Sequence, residues 1–166
     1  ANFTITTAAV AAATTVNISA TYSGVTRTAP LTLNPITLNN LVLSPASVAG
    51  GSSTTGNRVE LNGPAPPSGA PVSLTSSNPS AAQVPATVTV AAGASLAYFT
   101  ITTSAVTVST PVTISATYGG VTSTGTLTVN PLVLSFLTVS PGSVYGGQSA
   151  TLSRVTLNGA APAGGV

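Results

Sequence analysis

Glu60 is the only acidic side chain in the sequence, and Arg27, Arg58 and Arg154 are its only basic ones. Histidine, cysteine, lysine and aspartate are absent. General acid–base catalysis needs titratable groups tuned near the working pH, and one glutamate with four tyrosines and three arginines is a poor supply. Serine and threonine are abundant, yet no His, Lys or Asp stands by to activate a hydroxyl as a nucleophile. Zinc asks for Cys or His and calcium for several carboxylates, so no metal-ligating, cofactor-binding or catalytic residue is expected, and the chain does not read as an enzyme. Disulfides and lysine-dependent isopeptide crosslinks drop out on the same inventory. Three scattered arginines cannot neutralise a row of phosphates, which argues against a nucleic-acid partner. Arg58 and Glu60 flank Val59, so on a strand they point outward together as a solvated pair worth at most ~1 kcal/mol.

With chemistry so limited, the arrangement of the chain carries the information. "FTITT" occurs at Phe3–Thr7 and again at Phe99–Thr103, an offset of 96 residues. At that offset "ISATYSGVT" meets "ISATYGGVT", "LVLSPASVAGG" meets "LTVSPGSVYGG" and "RVELNG" meets "RVTLNG". Such self-similarity at fixed period marks tandem duplication. Asn34-Pro35 and Asn130-Pro131 each separate two alternating runs, which places the boundaries there. Residues 1–35 then form the C-terminal part of one module, 36–131 a complete module and 132–166 the N-terminal part of another. The sequence reads as a window cut mid-module at both ends from a longer array.

Within a module the hydrophobic period is two. Val112, Ile114, Ala116 and Tyr118 fall on one face of a strand, and Thr113, Ser115 and Thr117 on the other. No stretch carries a helical stripe. Strands are expected near 38–44, 57–62, 71–76, 86–90, 95–103, 111–118 and 121–129, and "YGGV" at 118–121 is suited to a type I′ hairpin turn. Seven short strands predict an all-β, two-sheet sandwich. Its core is expected to draw on Leu41, Leu43, Val48, Val59, Leu61, Val72, Leu74, Val88, Val90, Phe99, Ile101, Val112, Ile114, Leu127 and Val129. A mean hydropathy of +0.51 and many β-branched residues argue against disorder. No apolar run approaches the ~18 residues of a membrane span.

Together "LVLSPASVAGG", "RVELNGPAP", "VSLTSSNPSAAQVPATVTVAAG", "FTITT" and "VTISATYGGVTSTGTLTVNP" resemble the bacterial immunoglobulin-like repeats found in tandem in long exported surface proteins. The resemblance covers the whole chain. It implies Ig-like β-sandwich modules of about 96 residues outside the cell, in a filament, surface stalk or adhesin. The cysteine pair and core tryptophan of antibody-type domains are missing, as are the acidic linkers of calcium-rigidified repeats.

The linkers contain proline and no Gly/Ser stretch, which stiffens each crossing. Pro35, Ile36, Leu38, Pro131, Leu132, Leu134 and Phe136 are the candidate residues for packing between modules. Neighbouring modules or copies of the same protein, joined head to tail or by strand completion, are the expected partners. Tyr22 and Tyr118, just before equivalent turns, read as turn anchors. The Thr-rich outer faces suit solvent-facing sheet or lateral packing. "NFT" and "NIS" match the glycosylation sequon, and in a bacterial-looking repeat they read as chance, leaving a glycan as a secondary partner. The leading functional expectation is a structural segment. The alternative is an adhesin module that recognises a surface glycan or receptor through loops such as "NGPAPPSGAP".

Overall fold

Alternation of β-branched or other apolar residues with Thr and Ser fixes an extended backbone with one dry face, and two such faces must close on each other. The computed structural model describes residues 1–161; the last five residues of the 132–166 segment lie outside the described residues. All regular elements among the described residues are strands.

The middle of the chain forms a two-sheet sandwich. One sheet has the order β3-β5-β9-β7, with β3 at Leu38–Val42, β5 at Ser53–Leu61, β9 at Leu96–Thr103 and β7 at Ala82–Gln83. The other has the order β4-β11-β10-β6-β8, with β4 at Ser47–Ala49, β11 at Val121–Asn130, β10 at Thr110–Tyr118, β6 at Ala70–Ser76 and β8 at Thr87–Val90. Neighbouring strands are antiparallel except that β4 runs parallel to β11. Between β3 and β4 the chain crosses from one sheet to the other at Ser44-Pro45.

Val59, Leu61, Phe99 and Ile101 from the first sheet share one core with Val72, Leu74, Val90, Val112, Ile114, Leu127 and Val129 from the second. Leu41 is buried as expected, whereas Leu43, Val48 and Val88 are half-buried at its margin. Leu38 is buried in this same core, because β3 begins at that residue and turns it inward. Ala65, Ala70, Ala81, Ala82 and Ala116 complete the core, filling places where the sheets approach closely. Tyr118 packs against the core, while Tyr22 is exposed. Arg58 Nε donates to Glu60 Oε1 at 2.7 Å on the outer side of β5.

The flanking segments are two-stranded. β1 (Thr14–Tyr22) pairs with β2 (Val25–Leu33), and β12 (Leu134–Thr138) with β13 (Arg154–Leu157). Their registers reproduce those of the sandwich. Thr14↔Leu33 through Tyr22↔Val25 matches Thr110↔Val129 through Tyr118↔Val121. Leu134↔Leu157 and Thr138↔Arg154 match Leu38↔Leu61 and Val42↔Arg58, including the bulge after the first pair.

Candidate functional site

The crossings hold most of the residues expected to pack between modules. Proline has no amide hydrogen to place in a ladder, so the backbone groups around it need partners from elsewhere. At the first crossing Asn62, at the end of β5, supplies them. Its Oδ1 accepts from the Thr37 amide at 3.0 Å, and its Nδ2 donates to the Pro35 carbonyl at 3.2 Å and to Thr37 Oγ1 at 3.1 Å. The Asn62 amide donates to the Thr37 carbonyl at 3.1 Å. At the second crossing Asn158 repeats the pattern. Its Oδ1 accepts from the Val133 amide at 2.9 Å, its Nδ2 donates to the Pro131 carbonyl at 3.2 Å, and its amide donates to the Val133 carbonyl at 3.1 Å.

A glycine follows each asparagine, and close packing explains it. A Cβ at Gly63 would lie 3.1 Å from Ile36 Cδ1, and one at Gly159 would lie 3.1 Å from Leu132 Cδ2 while also running into Ala49. Gly159, Leu132 and Ala49 are therefore where the third segment touches the sandwich. In the β10–β11 turn, Gly119 has φ +60° and faces the first crossing; a Cβ there would stand 2.7 Å from the Ile36 carbonyl oxygen.

The candidate packing residues thus separate into three places. Pro35, Ile36, Pro131 and Leu132 are half-buried at the crossings. Leu38 belongs to the core of the sandwich. Leu134 and Phe136 lie exposed on β12. Asn62 and Asn158 were not among the candidates, although both copies of "LNG" carried the signal.

The flanking hairpins present a second feature. By register, Val16, Ile18, Leu31 and Leu33 hold the places of Val112, Ile114, Leu127 and Val129, which are fully buried. Leu134, Leu137 and Val155 hold the places of Leu38, Leu41 and Val59. Phe3 is 76% exposed where Phe99, 96 residues on, is 6% exposed; Leu137 is 60% exposed where Leu41 is 7%. Phe3 lines an open groove with Ile18, Ala20 and Ala29. Of the β1–β2 counterparts, Val16 is exposed and Ile18, Leu31 and Leu33 are half-buried, whereas Leu134, Leu137 and Val155 on β12–β13 are all exposed.

The outer face of the five-stranded sheet is a hydroxyl array. Strand register aligns Thr122, Thr117, Ser73 and Thr87 in one row, and Thr124, Ser115 and Thr75 in the next. Thr117 and Thr122 share a hydrogen bond of 2.8 Å, and Thr21 and Thr26 share one of the same length.

No family model matches the chain, and no curated protein matches it. Among solved structures it is similar to one described as the crystal structure of the S-layer protein SbsC domains 4 and 5. The TM-score is 0.40 and the identity 22%, over 72% of this chain and 58% of that one.

Proposed function

We propose that the chain is a structural segment of an extracellular bacterial filament or surface stalk, in which Ig-like β-sandwich units of about 96 residues follow one another through braced crossings. The observation that carries this reading is the recurrence of the Asn62 brace at Asn158, with the same proline carbonyl and the same amide position held. A crossing tied at both backbone groups and packed by Ile36 or Leu132 transmits direction from one unit to the next, as a flexible tether does not. Antiparallel ladders inside each unit carry load, and surfaces almost free of charge lie together without desolvating ions.

Two measurements test the reading. Small-angle scattering of dilute protein should report a semi-rigid rod, and the double variant Asn62→Ala/Asn158→Ala should broaden the distance distribution. Electron microscopy of native material should show beads spaced by roughly 40 Å, a nine- to ten-residue strand plus a short linker. Wild-type scattering from freely jointed pieces would count against it.

A further inference from the structure

We infer that the sandwich takes up an extended, uncharged peptide segment of a partner protein as an added strand, along the edge of β9 that faces away from β5. The site lies within residues 36–131 and does not depend on how units follow one another. Its basis is a difference between the two margins of the sandwich, since at each a strand passes from one sheet to the other beside a proline. At Ser44-Pro45, where β3 gives way to β4, the margin is closed. Leu43 sits over Gly125, with Cδ1 3.0 Å from where a Cβ would stand, and the Ala46 carbonyl accepts from the Thr128 amide at 2.9 Å. At Val84-Pro85, where β7 gives way to β8, the margin is open. A groove of about 430 Å³ lies there, lined by Val84, Pro85, Val88 and Phe99 together with Tyr98 and Thr100.

The backbone of β9 is what this groove exposes. β7 pairs with β9 only at Thr102 and Thr103, and among the described residues no strand continues that pairing toward Leu96. In continued register Pro85 would face Thr100, and it has no amide hydrogen to give. By Ala86 the chain already belongs to the other sheet, its carbonyl accepting from the Leu74 amide at 2.9 Å. Successive residues of a strand turn their backbone groups to opposite sides. The Thr103 amide donates to the Ser52 carbonyl and the Ser95 carbonyl accepts from the Leu61 amide, both on the β5 side, so the N–H and C=O groups of Leu96, Tyr98 and Thr100 turn to the groove. Tyr98, Phe99 and Thr100 line it consecutively, as an edge does and a face cannot.

Donors and acceptors that repeat every second residue match another extended backbone, and the edge from Leu96 to Thr100 takes a segment of about five residues. None of the residues lining the groove is charged, and Arg58 and Glu60 on the neighbouring strand pair with each other, so a charged segment finds no counter-ion. Side chains that alternate inward meet Val84, Val88 and Phe99, which suits Val or Ile. Those that alternate outward lie beside Tyr98, which is 61% exposed. No described residue of 1–35 or 132–161 lines the groove, and Gly159 meets the sandwich at Ala49 instead, so the strand is supplied by a partner.

The test is NMR of the full chain with the blocked peptide acetyl-Thr-Val-Thr-Val-Thr-amide. Without peptide, the Tyr98 and Thr100 amides should exchange with solvent at least about tenfold faster than the Ala97 amide, which turns to β5. The peptide should slow both amides and shift them saturably, with half-saturation at about 1 mM or below. N-methylation of two successive peptide residues, which removes a donor in either register, should weaken binding by about tenfold or more. Thr100→Pro removes an amide that faces the groove, so it should weaken binding to the same degree while thermal unfolding stays near that of wild type. Equal binding by the N-methylated peptide, or by Thr100→Pro, overturns the inference. So does protection of Tyr98 and Thr100 equal to that of Ala97 without peptide, or the absence of any shift at ~10 mM peptide. The neutral oligosaccharide cellotetraose shifting the same amides as strongly as the peptide also overturns it, in favour of a sugar site.

Discussion

Asn57 has no exposed surface, yet all its polar atoms are engaged. Its Oδ1 accepts from the Ser44 amide at 3.1 Å, and its Nδ2 reaches the Thr54 carbonyl at 3.0 Å, Thr54 Oγ1 at 2.8 Å and the Phe99 carbonyl at 3.4 Å. It fills the irregularity where the pairing of β5 with β9 shifts between Thr54 and Asn57. Asn57→Ala leaves buried backbone groups unpaired and should lower stability by about 2–4 kcal/mol, read as a shifted urea midpoint at unchanged slope. The third segment illustrates the same dependence. Ser153 stands at the Asn57 position and Leu152 at that of Gly56, where a Cβ would lie 2.7 Å from the Ser44 carbonyl; β13 starts only at Arg154. The Gly125 contact yields a second residue-scale expectation. Gly125→Ala and Leu43→Val should each cost about 1–2 kcal/mol, and the double variant less than their sum by at least about 0.5 kcal/mol, in a double-mutant cycle by denaturation.

At the scale of elements, hairpin turns separate steric from conformational demand. Gly119 and Gly120 both have positive φ, as a type I′ turn requires, but only Gly119 meets a neighbour. Gly120→Ala should cost about 1 kcal/mol for its left-handed backbone, and Gly119→Ala distinctly more, by thermal denaturation. This turn was legible in "YGGV", as were the long strands, because strict alternation leaves little freedom. The start of β5 was not. Thr54 and Asn57 point inward along "STTGNRVEL", so a core-facing run looks polar until their partners are known. β4 and β7, of three and two residues, exist because neighbours hold them, and no local pattern marks them. Leu38 stands both among the candidate crossing residues and at the start of the strand expected near 38–44; in the structure it is the first residue of β3 and is buried in the core. The braces leave no local pattern, because they join residues 25 apart and end on backbone groups.

At the scale of the whole molecule, one brace pattern recurs at two crossings, at Asn62 and at Asn158. The broad outer sheet contributes something else again. Each hydroxyl in its rows both donates and accepts, and the rows through Thr122, Thr117, Ser73 and Thr87 carry no charge. Such a face has no fixed sense of donor and acceptor, so a polar lattice laid on it is matched by spacing alone. Turning that lattice end for end leaves the match intact, and ionic strength has nothing there to screen.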